Sequence, residues 1–284
     1  MRMGILYLLS LASGCAFGGD ALDFEIDPGA ASRCEVGEER VVCERVTVSF
    51  ATGALGLSGR RVHMMHPVGE APAEGWPVAV LFSGALHSAG GFFEGSAGDD
   101  FGGLHQARLV AALLDAGYAV LAPETPYGGS TYWDTNVTPY NVLWDTSEDH
   151  QLMVELLRAI DDGVLGPLDP SRLIASGISS GGYMTSRMAV SYRGRFRALA
   201  IQSASYATCS GALCDIPGLP EDHPPTLFLH GGADLVVPAA TARAYAESLA
   251  DQGTPVETIV EEGVGHAWLE VAPESIVDWF DQRR

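Results

Sequence analysis

Short apolar runs recur along the chain at intervals that leave room for a helix between them. They cover residues 78–82, 119–122, 173–176, 199–202, 226–230 and 256–260. Each is a continuous stretch rich in Val, Ile and Leu, the pattern of a strand buried on both faces. Between them lie LHQARLVAALLDAG, EDHQLMVELLRAIDDG, GGYMTSRMAVSYRG and AATARAYAESLADQG. Their apolar residues fall three and four apart, and glycines follow as helix stops. Strands of this kind alternating with helices predict an α/β protein with a mostly parallel sheet and helices on both faces. Upstream, residues 41–50 and 61–66 alternate in polarity and are joined by the Gly-rich ATGALGLSG. They predict an antiparallel pair at the N-terminal edge of that sheet.

Ligands in such sheets sit beyond the carboxyl ends of the strands. Those ends read FSGALHSAGG, APETPYGGS, SGISSGG, QSASYATC, HGGADLVVP and EEGVGHAW. The third carries Gly177-Ile178-Ser179-Ser180-Gly181, a GxSxG pattern where a strand hands over to a helix. That turn lifts a serine out of the sheet and crowds the backbone, so the positions two before and two after it must be small. The register selects Ser179 over Ser180. In a chain with 34 glycines the five-residue pattern alone is weak, and its place between strand and helix is what gives it weight. In the α/β-hydrolase fold the order along the chain is Ser, then an acid, then His. Asp234 and His266 follow later strands in that order. Serine is a poor nucleophile at neutral pH; His266 is placed to take its proton and Asp234 to orient the imidazole. An oxyanion needs backbone N–H donors. Ser180, at the start of the helix, is one candidate, and Ala85, in the loop after the first parallel strand, is the other, with Leu86 as the near alternative.

Composition narrows the setting. The 284 residues are 47% hydrophobic and 18% charged, enough for a sizeable core. A net charge of −20 argues against nucleic acid and anionic membranes as partners, since both require clustered Lys and Arg. The N-terminus has one early Arg, an apolar run over 5–12 and then LASGC, which predicts an export signal over 1–15 followed by one catalytic domain over 16–284. LASGC resembles a lipobox, so a lipid anchor at Cys15 and cleavage by an ordinary signal peptidase both stay open. The remaining four cysteines form two close pairs, Cys34 with Cys43 and Cys209 with Cys214, as expected of short-loop disulfides in a secreted or cell-envelope protein.

Three other stretches invite readings. HMMHP, at 63–67, places His63 and His66 on opposite faces of a strand, and no metal or other cofactor is expected. GSAGDDFGG lacks the alternating oxygen ligands of a calcium loop and reads as a solvated turn. The aromatic stretch over 127–144, with Tyr127, Tyr132, Trp133 and Trp144, is a candidate wall for an acyl chain.

Taken together, GISSGGYMTSRMA, HGGADLVVP and GVGHAW resemble the α/β-hydrolase polyester depolymerases. The likeness is greatest to the extracellular bacterial depolymerases of medium-chain-length polyhydroxyalkanoates, whose lipase box also reads Gly-Ile-Ser-Ser-Gly. The resemblance implies ester cleavage through Ser179, His266 and Asp234 without a cofactor, and a hydrophobic polyester as substrate. Polymer contact would then fall to the catalytic domain's own apolar surface. A general carboxylesterase or lipase on small soluble esters is the alternative function. A non-catalytic surface lipoprotein is the distant one, disfavoured by an intact Ser, Asp and His set.

Overall fold

The computed structural model describes residues 31–53 and 58–284. The export-signal segment and Cys15 lie outside the described residues. Eight strands form the main sheet: β3 (Val46–Thr52), β4 (Ser58–Met65), β5 (Trp76–Phe82), β7 (Ala119–Pro123), β8 (Leu168–Ile178), β9 (Phe196–Gln202), β10 (Thr226–Gly231) and β11 (Val256–Glu261). Their spatial order is β11-β10-β9-β8-β5-β7-β4-β3. Pairing is parallel from β7 through β5 and β8 to β11, and antiparallel where β4 meets β7 and β3 meets β4. All six apolar runs are strands, and the antiparallel edge is present.

The pleat divides each central strand between two cores. In β5, Ala79 and Leu81 face one side, while Val78, Val80 and Phe82 face the other. The first side is covered by α1 (Gly103–Asp115) and α5 (Ala272–Asp281), which bring Leu109, Val110, Leu113, Ile276, Trp279 and Phe280 against it. The second is covered by α2 (Glu148–Asp161) and α3 (Ser180–Ser191) through Leu152, Met153, Leu156, Met184 and Met188. Helix α4 (Ala239–Asp251) packs Ala242, Tyr245 and Leu249 on Ile201 and Phe228. Because both faces are covered, the strands need no polar side, which is why they read as unbroken apolar runs. Ser147 caps α2, its Oγ accepting the His150 N–H at 3.0 Å.

Two features differ from the periodicity reading. The stretch 41–50 is not one strand. It breaks at Glu44–Arg45 into β2 (Arg40–Cys43) and β3, which join different sheets. The first half is held away by the Cys34–Cys43 disulfide and by the Cys43 N–H donating to Phe93 O at 2.7 Å. With β1 (Cys34–Val36) and β6 (Glu94–Ser96) it makes a small antiparallel sheet against α1. Helix α5, absent from that reading, follows the His266 loop and completes the first face. Among the described residues no helix is long and apolar enough to cross a membrane.

Candidate active site

Ser179 stands between β8 and α3 with φ 55° and ψ −122°, a conformation that L residues avoid. The surroundings enforce it. A Cβ on Gly177 would lie 2.5 Å from Gly181 O and 2.6 Å from Phe82 O. One on Gly181 would lie 2.0 Å from Phe82 O and 2.6 Å from Ser83 O. These obstacles are backbone carbonyls, which cannot swing aside. The two glycines of the motif are therefore required by the close approach of β5, and Ser179 takes the strain that remains. Its N–H donates to Gln202 O at 3.0 Å, which fixes the turn to the end of β9.

Asp234 and His266 meet in the loops after β10 and β11. His266 Nδ1 donates to Asp234 Oδ2 at 2.7 Å. Asp234 Oδ1 accepts the N–H groups of Val236 and Val237, both at 2.8 Å, and its side chain is fully buried. Such a carboxylate has its lone pairs occupied and its direction set, so it holds the imidazole with Nε2 left as the basic nitrogen. His230 backs the pair. It donates Nε2–H to Val237 O at 2.8 Å, and burial lowers its pKa, so it stays neutral beside Asp234. The loops come together closely: a Cβ on Gly231 would lie 2.1 Å from Gly265 O. Gln202 ties the two halves of the site. Its carbonyl receives Ser179, its Nε2 donates to Ala267 O at 2.9 Å, and it is wholly buried.

Ser179 and His266 open into one cavity of about 490 Å³, shared with Gly84, Ala85, Ser88, Phe101, Val236 and Trp268. Gly84 lies against Ser179: its Cβ position is 3.9 Å from Ser179 Cβ. Of the two loop donors considered, Leu86 N–H is already committed to Thr131 O at 2.7 Å. That leaves Ala85, which lines the cavity, as the candidate from this loop. Ser180 occupies the first turn of α3, where N–H groups have no intrahelical acceptor and the helix dipole favours negative charge. Its Oγ is used elsewhere, accepting the Trp133 N–H at 3.0 Å.

The aromatic stretch is not a wall of this cavity. Trp133 is fully buried, donates Nε1–H to Ser83 O at 3.0 Å and meets Phe82 edge-on at 5.2 Å. Trp144 is likewise core, with the Arg187 guanidinium 5.1 Å above its ring. Both indoles belong to the core on the second face of the sheet. Tyr127 and Tyr132 are exposed and stand outside the cavity lining. The turn GSAGDDFGG, by contrast, does line it. Gly98, Asp99, Asp100 and Phe101 form one side, and the Phe101 ring stands edge-on to His266 at 6.0 Å and to His87 at 5.4 Å. Phe101 holds a left-handed φ of 56°, with its carbonyl accepting Trp268 N–H at 2.8 Å. Two apolar residues of the lining face solvent, Phe101 (48% exposed) and Val236 (60%), and so do Leu86 (74%), next to the lining residue Ala85, and Leu235 (96%), next to Val236.

Glu124, at the end of β7, is a buried carboxylate that motif reading passes over. Burial pushes its pKa up, but hydrogen bonds from His63, Ser88 and the Ala89 N–H outweigh this and hold it at about 2. His63 thus has a structural partner on each ring nitrogen, Thr47 at 2.8 Å and Glu124 at 3.0 Å. The signal that could have found Glu124 is its position just past a strand end. Among the described residues no group of three or more His, Cys, Asp or Glu is arranged to hold a metal. Both cysteine pairs are at bonding distance, Cys34 with Cys43 and Cys209 with Cys214.

Comparison with known proteins agrees with this geometry. The family model of the dienelactone hydrolase family matches residues 99–281. A poly(3-hydroxyoctanoate) depolymerase of Pseudomonas fluorescens is 42% identical over 259 residues, covering 89% of this chain and 91% of that protein. The fold is similar to that of a thermostable esterase, with a TM-score of 0.64 at 20% identity over 84% of this chain; the chain spans 63% of that structure's length. It is also similar to esterase 2 of Thermogutta terrifontis, solved phosphorylated by paraoxon. There the TM-score is 0.56 at 17% identity, over 84% of this chain and 92% of that one. With a strained serine turn, a His–Asp pair and a shared cavity on an α/β-hydrolase sheet, the chain belongs to the dienelactone hydrolase family and is an ester hydrolase.

Proposed function

We propose that this chain is an exported polyester hydrolase that cleaves polyhydroxyalkanoate with medium-length side chains through an acyl-enzyme on Ser179. In this reading Ser179 Oγ attacks the ester carbonyl while His266 Nε2 takes the hydroxyl proton. The N–H groups of Ser180 and Ala85 receive the oxyanion. Collapse of the tetrahedral species expels the alcohol end of the ester, which takes the proton back from His266. Water then repeats the sequence on the acyl-enzyme, and a free hydroxyacid end leaves. Asp234 stabilises the imidazolium at both stages without itself becoming protonated.

The observation that carries the polymer reading is the apolar mouth of the cavity. Phe101 and Val236 line the cavity and face solvent, and Leu86 and Leu235, also exposed, are the chain neighbours of the lining residues Ala85 and Val236. Exposed apolar groups clustered about a site mark it for contact with an apolar surface. A water-insoluble polyester offers such a surface, and the uncharged ester chain is indifferent to the protein's net charge of −20. The similarity to the poly(3-hydroxyoctanoate) depolymerase of Pseudomonas fluorescens supports the same substrate class. The test is clearing of a poly(3-hydroxyoctanoate) suspension, beside poly(3-hydroxybutyrate) and p-nitrophenyl octanoate, by wild type and Ser179→Ala. Clearing of the octanoate polymer by wild type alone is the expected result. Hydrolysis of the small ester with both polymers untouched would make the chain a small-ester carboxylesterase instead.

Export rests on the N-terminal pattern and is supported by the two disulfide pairs, which suit an oxidising compartment. Intact-mass measurement of the mature chain from a bacterial host tests it. A mature N-terminus beyond the apolar run is expected, with diacylglycerol on Cys15 marking the lipoprotein route.

A further inference from the structure

Glu124 is buried, charged and unused by the chemistry above, yet its carboxylate is directed at the loop that carries Ala85. Oε1 accepts from Ser88 Oγ at 2.5 Å and from His63 Nε2 at 3.0 Å; Oε2 accepts the Ala89 N–H at 3.0 Å. Ser88 in turn receives the Gly90 N–H at 3.1 Å and caps the short turn Ala89–Phe92. The carboxylate therefore fixes the downstream end of the stretch Gly84–Ala89 at two consecutive residues. The upstream side is fixed through Leu86, whose N–H is bound to Thr131 O at 2.7 Å. Thr131 belongs to the segment that follows Glu124, and that segment is pressed onto the same place. A Cβ on Gly129 would lie 2.5 Å from Ser88 Cα and 2.7 Å from Glu124 Oε2.

Glu124 is itself held rigidly from the antiparallel edge. Its N–H donates to Arg61 O at 2.8 Å, and its carbonyl accepts Arg60 Nη2 at 2.7 Å. Thr47 on β3 and His63 on β4 complete a line of hydrogen bonds running from the sheet edge to the loop. Leu86, next to Ala85, holds a left-handed φ of 64°. A loop containing a strained residue keeps one shape only when its neighbours dictate it.

We infer that Glu124 is a positioning residue for the oxyanion site: through Ser88 and Ala89 it sets the loop so that the Ala85 N–H points into the cavity beside Ser179. The inference rests on the ester-hydrolase reading of that site and adds a residue to it. An oxyanion donor acts mainly in the transition state, and loss of one costs about 10²- to 10³-fold in kcat in a serine protease. Glu124→Gln replaces one acceptor oxygen with a donor facing Ser88 or Ala89, which loosens the loop without removing the Ala85 N–H. Its effect should therefore fall below that range.

The test compares wild type, Glu124→Gln and Ser88→Ala with p-nitrophenyl octanoate as substrate. Alongside it goes inhibition by an alkyl trifluoromethyl ketone, whose serine adduct carries the oxyanion. For Glu124→Gln we expect kcat to fall on the order of 10- to 100-fold with KM within about threefold. The ketone inhibition constant should rise by the same factor as kcat/KM falls, and the pH midpoint of kcat should not move, since His266 and Asp234 are untouched. Ser88→Ala, which removes one hydrogen bond and leaves the charge, should show the same split with a smaller loss. It carries the test if Glu124→Gln does not fold. A variant with kcat within twofold of wild type, or with an unchanged ketone constant, would overturn the role of Glu124. Absence of hydrolysis by wild type would instead overturn the ester-hydrolase reading on which it rests.

Discussion

The turn at Ser179 and the mouth above it are neighbours built on opposite terms. At the turn the backbone is tightly enclosed. Gly177 and Gly181 face carbonyl oxygens at less than van der Waals distance from any added Cβ, and Ser179 is held at φ 55°. Toward the mouth, Leu235, next to the lining residue Val236, is 96% exposed, and a Cβ on the lining residue Gly98 would meet nothing within 4 Å. Position is critical where charge develops for an instant and a fraction of an ångström changes the stabilisation. Contact with a polymer surface needs apolar area, not a fixed register. In the proposed function the chemistry would thus sit on the rigid part and polymer contact on the open one.

That contrast can be broken in graded ways. The largest effect should come from Asp234→Asn. The amide can present its N–H₂ to His266 Nδ1 and favour the wrong tautomer, lowering kcat on the order of 10⁴-fold while the folded spectrum is retained. Next, Gly181→Ala against Gly98→Ala compares the two regions directly. The first forces a methyl group onto Phe82 O and should lower the stability to denaturant by roughly 2–4 kcal/mol, the second by under about 0.5 kcal/mol. Equal midpoints in urea would contradict the crowding argument. The smallest effect is expected at the mouth. Leu235→Ser should slow polymer clearing about three- to tenfold, the loss of part of one leucine's burial, with kcat/KM for p-nitrophenyl octanoate within twofold. Equal loss on both substrates would place Leu235 in the small-ester site instead.

The same contrast explains what was legible in the sequence. The strands could be read because burial on both faces removes polar residues from them. The turn at Ser179 could be read because its crowding demands glycine at two fixed offsets. Asp234 and His266 could be read because the order of strand ends along the chain is fixed by the topology. Trp133 and Trp144 could not be placed, since aromatic residues serve a core as readily as a binding wall. What decides between them is Phe82, Ser83 O and Arg187, partners distant in sequence. Phe101 was hidden by its neighbours: DDFGG has the composition of a solvated turn, and its contacts with His266 and Trp268 span more than 160 residues. The break at Glu44–Arg45 was hidden for the same reason, because alternation continues through it while a disulfide and Phe93 O redirect the chain.

In the proposed mechanism the turn makes Ser179, and no other serine of its segment, the nucleophile. Reaction of the folded protein with paraoxon tests it directly. One equivalent of p-nitrophenolate should be released per chain, with a diethylphosphoryl group on Ser179 in the tryptic peptide spanning residues 173–187, and none on Ser179→Ala. No release, or an adduct on Ser180 or elsewhere, would contradict it.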